Sequence, residues 1–309
     1  MFSRHLTARR RVIVDTDAKN EADDQFAIVH SLLSPSFDLR GIIPAHFGFR
    51  PGRSERSMLD SRDEVDLILG LMGLTGTVHV ANGAPYALPN AKTPVPSPGA
   101  ELIIEEAMRT DVGPLYVAFF GPLTDMAAAV LMEPRIAERE VIVVWIGGPP
   151  YDDQPSAYWP EFNLSNDIVA ANVVFASELE VWQIPMSTYV LTSVSYAELD
   201  EKVAPCGKIG DYLVRQLVEF NAKQECRPME CRNLGDSPAV GVMLNPFCGR
   251  FVERTAPTFT ADGSYDFGVT HRPIRVYESI DTRFLFEDFF AKLQQFAAGA
   301  ARENAAQSG

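Results

Sequence analysis

A chain of 309 residues, 46% apolar and 22% charged, can bury a large core without disulfide or metal staples. Lys and Arg number 27 against 41 Asp and Glu, a formal charge of −14, which argues against a nucleic acid backbone or an anionic membrane as partner. No apolar run approaches the roughly 20 residues a bilayer demands, and the basic N-terminus leads only into VIV, too short for a secretory signal.

The first apolar run, Arg11 to Thr16, reads as a buried strand, and Asp23 to Leu33 as a helix with Phe26, Ala27, Val29, His30 and Leu33 in helical period. Strand Phe37 to Ile43, helix Glu55 to Leu71, a short strand Val78 to Val80 and helix Glu101 to Arg109 follow. Leu115 to Phe120 is a strand that turns through GPLT into a helix. Val141 to Ile146 is a strand ending at Gly147 and Gly148. Asp167 to Ser177 is the next helix, Leu179 to Trp182 the next strand, and Phe284 to Phe296 an amphipathic helix for the core or another subunit. The proline-rich stretches 85–99 and 147–160 read as surface loops within a single domain spanning 1–309, with 1–10 and 298–309 as flexible tails. Strand–helix alternation predicts an α/β fold: an open, mostly parallel sheet with helices on both faces, its ligands at the carboxyl ends of the strands. Cys206, Cys226, Cys231 and Cys248 read as reduced thiols of a cytoplasmic protein, since CRPMEC lacks the spacing and partners of a zinc site.

The chemistry concentrates after the first strand. Asp15, Asp17, Glu21, Asp23 and Asp24 fall within ten residues at a buried strand's carboxyl end. Crowded carboxylates need a cation or protons to coexist, and a hard cation such as calcium takes such oxygens. The competing reading is helix capping by Asp23 or Asp24, which leaves Asp15 and Asp17 unexplained.

This DTD…DD loop resembles the N-terminal fingerprint of the nucleoside hydrolases. VHVANGAPYAL (78–88), GPLTDMAAAVLMEPRI (121–136), VVWIGG (143–148), EFNLSNDIVAA (161–171) and GDSPAVGVML (235–244) resemble further segments of that family, in its order. The resemblance implies calcium-dependent hydrolysis of the N-glycosidic bond of a ribonucleoside or related N-riboside, giving ribose and free base. It implies Ca2+ ligation by Asp17, Asp24, Asp236 and the main-chain carbonyl of Phe120, with Asp17 also taking a proton from the attacking water. Asp23, Glu161 and Asn163 would hold the ribose, the last two from one side of an extended segment. It also implies a homo-oligomer, dimer or tetramer. Asp236 as a helix cap, and Glu161 and Asn163 as solvated loop groups, are the plain alternatives.

Several residues depart from the family pattern. Five residues separate Asp17 from Asp23, where three are common, and Lys19 and Asn20 replace a frequent proline-glycine. Lys19 reads as offsetting the acid cluster. Gly235 stands where many members carry the histidine that protonates the leaving base. His46 reads either as a proton donor or ribose contact, or as a packed histidine. Trp159 and Tyr158 read as a stacking surface for a flat leaving group, or as loop packing. Two rival functions follow from the same residues. One is a non-catalytic nucleoside- or carbohydrate-binding relative; the other is a haloacid dehalogenase-type phosphatase, suggested by DTD and LGDSP but lacking that family's threonine at Lys19.

Overall fold

The computed structural model describes residues 9–48, 54–110, 112–151, 156–223, 229–269 and 271–307. The chain opens with β1 (Arg10–Thr16), α1 (Asp24–Leu32), β2 (Phe37–Pro44), α2 (Ser57–Leu71) and α3 (Pro98–Ala107). Next come β3 (Leu115–Phe119), α4 (Thr124–Met132), β4 (Val141–Ile146), α5 (Phe162–Asn166), α6 (Ile168–Ala176) and β5 (Glu180–Ile184). The second half holds α7 (Met186–Tyr189), β6 (Ser193–Ser195), α8 (Tyr196–Lys202), α9 (Gly207–Lys223), β7 (Cys231–Asn233) and α10 (Ser237–Leu244). It closes with β8 (Phe251–Thr255), β9 (Thr258–Phe259), β10 (Tyr265–Asp266), β11 (Pro273–Tyr277) and α11 (Thr282–Gln307).

Seven strands form the central sheet in the order β2-β1-β3-β4-β5-β11-β8, parallel except for β8, which pairs antiparallel with β11. The chain leaves β1 for β2 on one side and returns to β3 on the other. That reversal makes a crevice at the carboxyl ends of β1 and β3, where open α/β sheets place ligands.

The apolar runs serve both faces of the sheet. Val12 and Val14 of β1 join a core with Phe26, Leu213, Val240 and Phe289, while Ile13 joins a second with Ile103, Met126 and Phe175. The run VIVVWI of β4 divides the same way, Val144 to the first core and Val143 and Trp145 to the second. Continuous apolar sequence is what a strand buried on both faces requires.

Some expectations need correcting. Val78 to Val80 forms no strand; it meets β2 in one bridge from Val80 to Ile42, and the Gly83 amide then donates to Pro44 O at 3.0 Å. The third helix starts at Pro98, earlier than expected, because Ser97 caps it by accepting from the Ala100 amide at 2.9 Å. Residues 161–163 do not form one extended segment: Glu161, extended, caps α5, and Asn163 lies inside that helix. The last helix runs on to Gln307, into the segment read as tail. Residues 1–8 and 308–309 of the two tails, 152–155 of the second loop, and Cys226 lie outside the described residues. Among the described residues no helix is long and apolar enough to cross a membrane.

Candidate active site

A cavity of about 360 Å³ opens at the crevice between β1 and β3. Asp17, Asp23, Asp24, Phe120, Glu161, Asn163 and Asp236 all line it. Strand β1 delivers Asp17 directly. Gly121 makes room for it, since a Cβ there would lie 3.0 Å from Asp17 Cγ. Asp15, two residues earlier, does not line the cavity; it is buried, and burial, Asp125 and Asp17 together raise its pKa well above the usual carboxylate value.

Asp23 and Asp24 open α1, and Asp236 precedes α10. Their carboxylate oxygens lie within 4.8 Å of one another. Neither Asp23 nor Asp236 makes a side-chain capping bond, although each occupies a helix N-cap position. The capping alternative therefore does not account for them. Asp23 Oδ2 instead accepts from the Gly235 amide at 2.9 Å, and Asp24 Oδ1 accepts from Thr16 Oγ1 at 2.5 Å. Burial comes first in raising the pKa of Asp24 and Asp236, and the neighbouring Asp23 comes next. Asp23 is raised by burial and held back by the Arg232 guanidinium. A trio of mutually repelling carboxylates, with Asp24 and Asp236 buried and Asp23 half-buried, suits a hard divalent cation, whose charge reverses that penalty. Asp23, expected on the ribose, stands in this tight trio, while Asp17 lines the same cavity outside it.

Glu161 does cap a helix. Its carboxylate accepts from the Asn163 and Leu164 amides at 3.3 and 2.8 Å, and from the Gly148 amide at 2.9 Å. Tyr189 Oη donates to Glu161 Oε1 at 2.8 Å, and Tyr158 and Tyr189 share a hydroxyl bond of 2.5 Å. Asn163 Nδ2 donates to the carbonyls of Phe120 at 2.6 Å and Ile146 at 2.9 Å. It thus fixes the carbonyl expected to ligate metal and leaves Oδ1 as its polar atom for a ligand.

Three sequence-predicted residues stand elsewhere. His46 is fully buried and does not line the cavity. Its Nδ1 accepts from the Gly48 amide at 3.1 Å, so Nε2 donates to Thr124 Oγ1 at 2.8 Å, and burial lowers its pKa to about 4. It is a packed histidine, not a ribose contact. Trp159 is half exposed and does not line the cavity, whereas its neighbour Tyr158 does. Lys19 pairs with Glu64 Oε2 at 2.7 Å, outside the cavity. Sequence reasoning missed Tyr189 and Arg232. Tyr189 was findable, because it follows β5 at the same carboxyl edge; Arg232 carried no signal.

Residues 12–287 match the sequence profile of the inosine-uridine preferring nucleoside hydrolases. The chain belongs to that family. The probable uridine nucleosidase 2 of Arabidopsis thaliana is 24% identical over 68% of this chain and 69% of its own. The inosine-uridine preferring nucleoside hydrolase of Crithidia fasciculata is 26% identical over 61% of this chain and 62% of its own. A solved purine-preferring ribonucleoside hydrolase from Gardnerella vaginalis shares the fold with a TM-score of 0.75 at 21% identity, covering 93% of this chain and 99% of its own. This nucleoside hydrolase family member is therefore an N-ribosyl hydrolase, and the phosphatase alternative falls away. Its acidic cluster fits the metal-dependent site the family implies.

Proposed function

We propose that this hydrolase cleaves the N-glycosidic bond of a ribonucleoside or related N-riboside in a calcium-dependent reaction. The observation that carries the reading is the carboxylate trio Asp23, Asp24 and Asp236, the last two buried, in one cavity lined also by Asp17 and Phe120. Asp17, Asp24, Asp236 and Phe120 O would hold the cation, and Asp23 would reach both it and the ribose. When bound, calcium would neutralise these carboxylates and polarise the attacking water.

Asp17 accepts the water's proton as the oxygen closes on the anomeric carbon. Charge then develops on the ribosyl ring as in other glycoside cleavages. Glu161 and Asn163 hold the ribose hydroxyls, each fixed by its own bonds to the backbone. Free Cys206, Cys231 and Cys248 fit a cytoplasmic protein. We read the protein as a homo-oligomer, which light scattering checks.

The test is ribose release from a nucleoside panel, with calcium and with chelator. Release should require calcium, and Asp17→Asn should lower kcat by at least about 10²-fold while leaving the fold intact. Failure to bind calcium in titration calorimetry, or full activity in Asp17→Asn, overturns the reading.

A further inference from the structure

Departure of an ordinary nucleobase leaves a pair of electrons on a nitrogen that must be protonated, so the site must offer a proton. The lining of this cavity points its protons elsewhere. Tyr189 donates to Glu161 Oε1, so the Tyr158 hydroxyl donates to Tyr189, and both protons run toward a buried carboxylate. Burial and the Glu161 charge also push the Tyr189 hydroxyl up, making it a poorer acid. At Gly235 a side chain would project into Asp23 Oδ2 at 3.1 Å and the Tyr189 ring at 3.2 Å, so the tyrosine takes the space there. Among the described residues no histidine lines the cavity. The undescribed residues contain no tyrosine, and their one histidine is His5 near the N-terminus.

The charge of the cavity points the same way. Asp17, Glu21, Asp23, Asp24, Glu161 and Asp236 face, among the described lining residues, a single cation, Arg232, which is paired with Glu21 and lies over the Phe220 ring at 5.0 Å. Counted by formal charge, the described lining stays net negative even with a divalent cation bound. Tyr158 adds an aromatic ring to the lining, and an aromatic face favours a flat cation over a flat neutral ring.

We infer that the preferred substrate is an N-riboside whose heteroaromatic base already carries positive charge at the glycosidic nitrogen. The inference rests on the hydrolase reading proposed above. In the reaction the C1′–N bond breaks and its electron pair neutralises the ring nitrogen. Water oxygen bonds C1′, and its proton passes to Asp17. The base leaves neutral with no proton required, the negative cavity favours the substrate, and release of a neutral product follows.

The full chain with calcium is assayed on a pyridinium riboside (that of nicotinamide), on inosine and uridine, and on p-nitrophenyl riboside, whose leaving group needs neither charge nor acid. Binding is read separately as competition by the 1-methylnicotinamide cation against neutral nicotinamide. Expected are turnover of the pyridinium and nitrophenyl ribosides, kcat/KM on inosine and uridine lower by about 10²-fold or more, and about tenfold tighter competition by the cation. Cleavage of inosine within tenfold of the pyridinium riboside, with a descending alkaline limb in its pH profile, reveals a general acid and overturns the inference. Cleavage of nitrophenyl riboside without the pyridinium riboside overturns it alone. Failure on all four overturns the hydrolase reading as well.

Discussion

At His46 the environment decides the role more than the residue type does. Its ordinary pKa of 6.5 falls to about 4 in the fold, so the native protein keeps the imidazole neutral while the unfolded chain takes up a proton below 6.5. The stability this neutral histidine contributes is complete above that pH and is lost as pH falls toward 4. The stability gap between the parent and His46→Gln should shrink over that window by on the order of 3 kcal/mol, in denaturant melts at stepped pH. Ribose release should be unaffected, because the side chain bonds Thr124 and not the cavity. The same contrast accounts for what could be read beforehand at the site. Asp17 and Asp24 stood out, because carboxylates crowded at one strand end repel one another unless a cation or protons join them, whereas Asp236, far down the chain, entered only through the family resemblance. His46, Trp159 and Tyr158 differ from one another only in which way the chain faces, and no local pattern encodes that. Glu161 as a cap and Asp23 as a non-cap reverse the usual preferences of these types.

Among the elements, the loop from Asp17 to Asp23 depends on a helix it never joins. Glu64 of α2 takes Lys19 Nζ at 2.7 Å, Gln25 Nε2 at 3.1 Å and the Tyr212 hydroxyl of α9, and Gln25 also donates to Ala18 O at 2.6 Å. The two residues this loop carries beyond the common spacing are therefore anchored. Glu64→Ala strands these donors and should cost about 1–3 kcal/mol by chemical denaturation. It should also weaken calcium binding by calorimetry, since both ends of the loop carry site carboxylates. Long elements were legible from periodicity: β1, α1, β3, β4 and α6 fall within a residue or two of expectation. The strands β6, β7, β9 and β10, of two or three residues each, were not, because so short a run carries no period. Nor was β8 legible, since its pairing with β11 depends on residues about twenty positions away in sequence.

For the molecule as a whole, the carboxylate trio is a cost that a cation removes. Folding raises the pKa of Asp24 and Asp236, so ionising them at neutral pH opposes the native state. Asp236→Asn should therefore raise the melting temperature of the calcium-free protein. In the parent, calcium at about 100 times its Kd should add about 2.7 kcal/mol and roughly 5 °C to the melting temperature, a shift the variant should lose. Scanning calorimetry of both proteins, with calcium and with chelator, reads this directly.

The trio also joins distant parts of the chain. Asp24 begins α1, while Asp236 arrives only at α10. On a ribosome, Asp236 emerges on the order of 10–40 s after Asp24. Through that interval the growing chain holds half a binding site. Capture of the ion therefore marks the moment at which the second half has been made and docked, and a chain cut short before α10 cannot pass for a finished one.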